Sequence, residues 1–224
     1  MQKKLLLINI LFTIVMANCE ATEKKLYLNA YTGGYIANKF NQLDYAGKRP
    51  KNQFLFGFGM GAYLNSNLSA GIDFYHFPSG KVKSLVDDEQ ISQRFKASAT
   101  FMQLTYAIPV QKQTLIPFVS LGIGNSINDS SNYRRINANK EILEIIGRTK
   151  NQMAFNFGLG LQAKLDDNLM FSLGYRHYNL GKIQTSSVEV TNTNNLLLPS
   201  AANQSIKKAK LAFNSIVIGL SYIF

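Results

Sequence analysis

The sequence predicts an all-β fold, an eight-stranded antiparallel up-and-down transmembrane β-barrel with short periplasmic turns and four long extracellular loops. Three observations carry that prediction. Apolar residues alternate with period two along most of the chain, and no window beyond the N-terminal segment holds a sustained 3.6-residue stripe. Short and long connections between the alternating runs succeed one another without exception, as in barrels with short turns on one side of a membrane and loops on the other. An export signal opens the chain.

That signal is Gln2-Lys3-Lys4 followed by an apolar run from Leu5 to Met16, too short to span a bilayer, then small residues around Ala17 and Ala21. Cleavage after Ala21 is expected, with Ala17 as the other site that satisfies the small-residue rule. The expected division is residues 1–21 as signal peptide and residues 22–224 as the barrel domain. A buried core helix is the other reading of the segment, but a mature domain rarely opens with Lys-Lys before an unbroken apolar run. Cys19 is the only cysteine, so no intramolecular disulfide can form. Met16-Ala17-Asn18 before it is a poor match to a lipid-acylation site.

The strands follow in order. The first is Leu26 to Ile36. The second, Gln53 to Leu64, sets Phe54, Phe56, Phe58, Met60, Ala62 and Leu64 against Leu55, Gly57, Gly59, Gly61 and Tyr63. Inward glycines in succession leave room in a narrow barrel for large side chains from opposite strands. Leu68 to Phe77 and Phe95 to Ile108 are less cleanly patterned. Facing is ambiguous in strands 26–36 and 95–108, where a bulge could switch the face partway. Leu115 to Ile123 sets Val119, Leu121 and Ile123 against Phe118, Ser120 and Gly122. Asn151 to Ala163 sets Met153, Phe155, Phe157, Leu159 and Leu161 outward, and Leu169 to Leu180 follows. The last strand has Ile216, Ile218, Leu220, Tyr222 and Phe224 on one face and Ser215, Val217, Gly219, Ser221 and Ile223 on the other.

Between them, Asn65-Ser66-Asn67, Pro109 to Thr114 and Lys164 to Asn168 read as turns. Ala37 to Asn52, Pro78 to Arg94, Gly124 to Lys150 and Gly181 to Lys208 read as the long loops. Closure is required because unpaired strand edges cannot face lipid. Trp is absent, so Tyr and Phe must form any interfacial girdle, with Tyr106, Tyr175, Tyr222 and Phe224 near strand ends. A soluble lipocalin-like barrel would instead show short hairpins at most connections and an apolar interior.

Bulk composition fits. Hydrophobic residues are 46% and charged residues 17% of 224, with mean hydropathy near zero, because outward apolar and inward polar residues cancel in a barrel. The net charge of +11 falls to +10 once Lys3, Lys4 and Glu20 leave with the signal. An export signal and the absence of a basic helix argue against nucleic acid; acidic sugars, lipopolysaccharide or host polyanions fit better.

Charge gathers in the loops as Lys48, Arg49 and Lys51, then Arg134 and Arg135, then Lys207 and Lys208, which are the candidate binding residues. The reading left open is a solvated cationic rim facing lipopolysaccharide phosphates or a receptor-binding surface. Lys140 to Ile146 is expected either to extend the adjoining strands or to form a helical turn. Leu196-Leu197-Leu198-Pro199 is an apolar patch in a polar loop. Asp73 and Arg176 share the inward parity and are expected to pair in an interior polar network. His76 and His177 have no metal-ligand spacing, and no cofactor is expected. Ser79, His76 and Asp73 make no catalytic triad, because Asp73 and His76 alternate onto opposite faces; Ser172 and His177 fail likewise.

The export signal, the eight strands, the segment Leu173-Gly174-Tyr175-Arg176-His177-Tyr178 and the terminal Tyr222-Ile223-Phe224 together resemble the opacity-like outer-membrane β-barrel family of Gram-negative bacteria. The resemblance implies a surface antigen or adhesin that is not an enzyme, with termini in the periplasm and a host surface receptor among its partners. It also implies that Leu220, Tyr222 and Phe224 form the assembly signal read by the outer-membrane insertion machinery. A small-solute pore and a lipid-modifying enzyme are the competing functions.

Overall fold

The computed structural model describes residues 25–37, 53–86, 89–110, 114–131, 133–136, 142–145, 147–184, 189–193, 196–200 and 208–224. Among them there is no helix. Strands β1 (Leu26–Ala37), β2 (Gln53–Tyr63), β3 (Leu68–Val86), β4 (Glu89–Ala107) and β5 (Leu115–Ser130) are followed by the short β6 (Tyr133–Ile136) and β7 (Ile142–Ile145). Then come β8 (Thr149–Lys164), β9 (Leu169–Gln184), the short β10 (Glu189–Thr193) and β11 (Leu196–Ser200), and β12 (Lys208–Ile223).

The eight long strands close into an antiparallel barrel: each pairs with its neighbour, β5 returns to β4, and β12 pairs with β1 from Tyr27↔Ile223 to Ala37↔Phe213. Closure leaves no long edge in the wall, which a sheet surrounded by hydrocarbon requires. The short strands form a second ladder. Above Phe95, β4 leaves β5 and pairs through Gln90–Ser92 with β6, and the sheet continues through β7 and β10 to β11. The wall is thus taller on one side.

The turns are built locally. In the β2–β3 turn the Asn65 side-chain oxygen accepts from the backbone N–H groups of Asn67 at 2.9 Å and Leu68 at 2.8 Å, which closes the chain in place of a ladder. Leu165 and Asp166 donate to the Leu169 carbonyl to make the matching turn between β8 and β9.

Facing follows the predicted parity in β2, β5, β8 and β12. Phe58 is 60% exposed, Leu121 60% and Ile218 45%, whereas Leu55, Ser120 and Ser215 on the alternate parity are buried. Ala62, expected outward, is buried; its register partners are Leu26 and Ala70. The two ambiguous strands resolve without a face switch. In β1 the odd residues Tyr27, Tyr35 and Ala37 point in, and in β4 so do Phe95, Ala97, Ala99, Phe101 and Gln103.

Three of the predicted loops are shorter than expected. Pro78 to Arg94 is largely the upper part of the β3–β4 hairpin, β5 runs on through Ser130, β9 reaches Gln184 and β12 begins at Lys208. The Lys140–Ile146 segment contributes β7, and the Leu196–Pro199 patch lies in β11. Two features hid these extensions. The register shifts between Phe77 and Gly80 and between Lys210 and Ala212, which interrupts period two. Beyond the apolar band the polarity of the faces also reverses: Arg94, Lys96 and Asp129 point outward while Phe95, Ala97 and Ala99 point inward. Tyr106, Tyr222 and Phe224 stand exposed at the turn end, the last two in an edge contact at 5.0 Å. Tyr175 lies instead within β9, donating to Asn214 at 2.7 Å.

Candidate functional site

The barrel interior has two contrasting halves. In the half toward the turns, Asp73 on β3 and Arg176 on β9 are 1% and 6% exposed, with Nη1 and Oδ2 at 3.5 Å. A buried charge pair is tolerable only when its remaining donors and acceptors are also met. Here the Tyr75 hydroxyl accepts from Arg176 and donates to Asp73 Oδ2 at 3.1 Å. Tyr31 donates to Asp73 Oδ1 at 3.5 Å, and Asn29 donates to Tyr31 at 2.6 Å. The guanidinium carbon also lies 4.9 Å from the Tyr31 ring centre and 5.5 Å from that of Tyr75, within cation–π range.

Backbone glycines make these large groups fit. Gly59 is the register partner of Asp73, Gly57 of Tyr75 and Gly158 of Arg176. A Cβ at Gly59 would run into the Asp73 carboxylate, and one at Gly57 into the Tyr75 ring. The side chains that fill the space therefore come from the adjacent strand, not from the opposite wall as the sequence suggested, because in-register neighbours are the nearest groups. Gly122 lies between Gln103 and Asn156 in register, and those two side chains hydrogen-bond over it at 2.9 Å.

Around this network is a polar cavity of about 50 Å³, lined by Tyr27, Asn29, Gln103 and Ser221 among others. Asn29 Oδ1, Gln103 Nε2, Ser120 Oγ, Asn156 Oδ1 and Ser215 Oγ have no protein partner among the described residues. Buried polar atoms of this kind are ordinarily met by water, and most of them lie in this half, with Tyr178 Oη and Asn128 Oδ1 in the other.

The other half is filled. Phe77 packs against Phe213 at 5.0 Å and Tyr178 at 5.1 Å, Tyr178 against Tyr75 at 5.2 Å, and Tyr35 against Phe213 at 4.7 Å. These rings come from β1, β3, β9 and β12, so they bridge the lumen. Leu55, Leu180, Leu211, Phe95 and Phe101 complete the cluster.

Outside the barrel, His76 faces out and its Nδ1 is 2.9 Å from Ser98 Oγ, on the face opposite Asp73. His177 Nδ1 is 2.7 Å from Asn214 Oδ1, also on the outer face. An apolar groove of about 680 Å³ runs along the band past Leu104, Leu121 and Phe155.

Among the loop candidates, Lys48, Arg49, Lys51 and Lys207 lie outside the described residues, as does Ala21 at the expected cleavage site. Arg134 and Arg135 are in β6, in register with Glu144 and Leu143 of β7, and Lys208 opens β12 opposite Gln184. Leu220, Tyr222 and Phe224 share the exposed outer face of β12's end. Parity alone indicated the pair Asp73 and Arg176. It missed Tyr31, Tyr75, Gln103 and Asn156, whose signal would have been a glycine in register with each bulky inward group.

Comparison with known proteins places this geometry. The family model of the outer membrane protein beta-barrel domain matches residues 5–224. Among solved structures, Neisserial surface protein A is 14% identical with a TM-score of 0.54, covering 89% of this chain and 97% of that one. A major outer membrane protein from Thermus thermophilus is 12% identical with a TM-score of 0.49, covering 91% and 100%. Ail, the attachment invasion locus protein of Yersinia pestis, is 12% identical with a TM-score of 0.47, covering 91% and 100%. At such identities the likeness to the first is one of fold, and fold does not fix function. No curated protein matches the chain in sequence.

Proposed function

The chain belongs to the outer membrane protein beta-barrel domain family, and from that premise we propose that it is a non-enzymatic surface protein of the bacterial outer membrane whose barrel anchors a raised binding sheet. The observation that carries the proposal is the aromatic cluster across the lumen. A barrel of eight strands leaves an interior only wide enough for side chains, and here Phe77, Tyr178, Phe213 and Tyr35 fill it. Work on a partner then falls to the outside of the barrel.

The tall β3–β4 hairpin and the β6–β7–β10–β11 ladder form the side presented to the exterior, and the short turns with both terminal strands face the periplasm, the usual arrangement of such barrels. Of the basic candidates, Arg134 and Arg135 in β6 and Lys208 at the start of β12 belong to this exterior side, and together with Lys48, Arg49, Lys51 and Lys207 of the sequence they suit lipopolysaccharide or an anionic host surface receptor. Leu220, Tyr222 and Phe224 offer the insertion machinery an apolar, aromatic strip. His76 and His177 each meet a neutral outer-face group and neither approaches Asp73, which suits a protein without hydrolytic chemistry.

The test is host-cell binding by bacteria displaying the full barrel and by a variant lacking Glu189–Ser200, with boiled and unboiled gel mobility confirming insertion of both. Binding is expected to fall sharply in the variant. Equal binding by both, or steady conductance of the wild type in planar bilayers, defeats the proposal, the second outcome in favour of a small-solute pore.

A further inference from the structure

On the outer seam between β9 and β12 the cross-strand pairs form a graded column. From the apolar band toward the loop end they run Ile218 with Leu173, Ile216 with Tyr175, Asn214 with His177, Ala212 with Asn179, and then Lys210 with Lys182. Both lysines are exposed. In-register neighbours on one face have their Cβ atoms about 5 Å apart, and like charges so placed repel. Lys96, by contrast, has Asp129 at 3.1 Å. Neither Lys182 nor Lys210 has a carboxylate partner among the described residues.

The pair exists because of a bulge. Inward-facing residues of β9 are even-numbered through Arg176, Tyr178 and Leu180, so Lys182 in an unbroken strand would point into the lumen. Gly181, with φ at 82°, inserts one extra residue opposite the Lys210/Ala212 shift and reverses the parity, so that Ile183 is buried and Lys182 turns out beside Lys210. That backbone conformation favours glycine, and bulges commonly re-aim one side chain. A device that brings two like charges together in the unliganded chain calls for a shared anion.

We propose that Lys182 and Lys210 form a site for the phosphate of a lipid in the exterior leaflet, resting on the membrane orientation proposed above. Location decides for a lipid over free phosphate. The lysines stand one rung, Ala212 with Asn179, above the polar pair of Asn214 and His177, to which the Tyr175 hydroxyl reaches from below, and Ile216, Ile218 and Leu173 then offer an apolar track for acyl chains. A phosphorylated glycolipid presents the same order of groups: phosphate outermost, hydroxyl and amide groups next, hydrocarbon below.

The experiment is native mass spectrometry of the barrel in phosphatidylcholine nanodiscs doped with diphosphoryl lipid A, comparing wild type with the Lys182→Gln, Lys210→Gln double variant and with Lys96→Gln. Losing two charge-assisted contacts should lower lipid A retention about tenfold or more, and Lys96→Gln should leave it unchanged. Lipid A stripped of its phosphates should be retained no better by wild type than by the double variant. Equal retention of diphosphoryl lipid A by wild type and double variant overturns the site, and so does displacement of the lipid by millimolar inorganic phosphate. Gel mobility of the same samples separates the two readings: a barrel that inserts yet shows no preference sinks only this site, whereas one that fails to insert sinks the membrane orientation.

Discussion

The two halves of the lumen solve the same packing problem with opposite chemistry. Toward the turns, the wall faces out with Phe58, Leu121 and Ile218 and in with Asp73, Arg176, Gln103 and Asn156. Toward the loops, it faces out with Arg94, Lys96 and Asp129 and in with Phe95, Phe77 and Phe213. One set of strands therefore follows the rule of a barrel in hydrocarbon for part of its length and the rule of a barrel in water for the rest. The medium outside dictates the polarity inside: where the outer face must be apolar, the lumen can hold polar groups, and where water wets the outside, the lumen supplies the hydrophobic core.

The sharpest way to break this contrast is Arg176→Leu, which leaves Asp73 buried among tyrosines without its cation. A loss of about 4 kcal/mol is expected in urea unfolding from lipid vesicles, and adding Asp73→Leu should restore most of it. A double variant no more stable than Arg176→Leu alone means that the two residues are not coupled. In the aromatic half, Phe77→Ala removes a ring that touches Tyr35, Tyr178 and Phe213, and should lower stability by about 3 kcal/mol in the same assay. A loss under about 1 kcal/mol would mean that the cluster collapses around the gap and is not tightly packed.

Smaller changes sharpen the comparison. Gly122→Ala puts a methyl where Gln103 and Asn156 meet, and about 2 kcal/mol of destabilisation is expected if that bridge is pushed apart. Gly34→Ala, at a position with open space around it, should be neutral or slightly stabilising. Least of all is the turn-end pair of Lys164 and Asp167 at 2.8 Å, where the hydrogen bond from Lys164 holds the fully exposed Asp167 carboxyl below its ordinary value. A lowered folded value means that the interaction is present above the unfolded value and is lost as pH falls through the folded one. Lys164→Gln should move the Asp167 titration, followed by NMR, up toward an ordinary aspartate, with the unfolding midpoint at neutral pH unchanged.

How much of this could be read in the sequence depended on which half a residue occupies. In the apolar band the alternation of β2, β5, β8 and β12 was plain, because lipid imposes an uninterrupted outward pattern. Facing in β1 was obscured by the inward Tyr27, Tyr31 and Tyr35, which are as apolar in composition as the outward Leu26 and Leu28. The upper strands were read as loops, since Lys81 to Arg94 looks polar once the outer face is no longer greasy and the Phe77/Gly80 shift breaks the count. The Asp73–Arg176 pairing followed from parity, but its tyrosine shell did not. Parity says which way a side chain points and nothing about its partner across the lumen, four strands away. The outward Lys182 was invisible for the same reason: its direction depends on the φ of Gly181.

Closure by β1 and β12 makes the barrel an all-or-nothing object in time as well as in space. Tyr27 meets Ile223 and Leu28 meets Tyr222, so the first strand out of the synthesis machinery waits for the last before its edge is satisfied. A contact spanning nearly the whole chain is the slowest kind to form. Until it does, two open edges are available to any other strand nearby. Without the residues from Ile216 on, Tyr27 to Gly34 of β1 would lose their ladder partners on that side, and the barrel could not shut. The pairing of β12 with β1 thus decides whether the sheet has an edge at all.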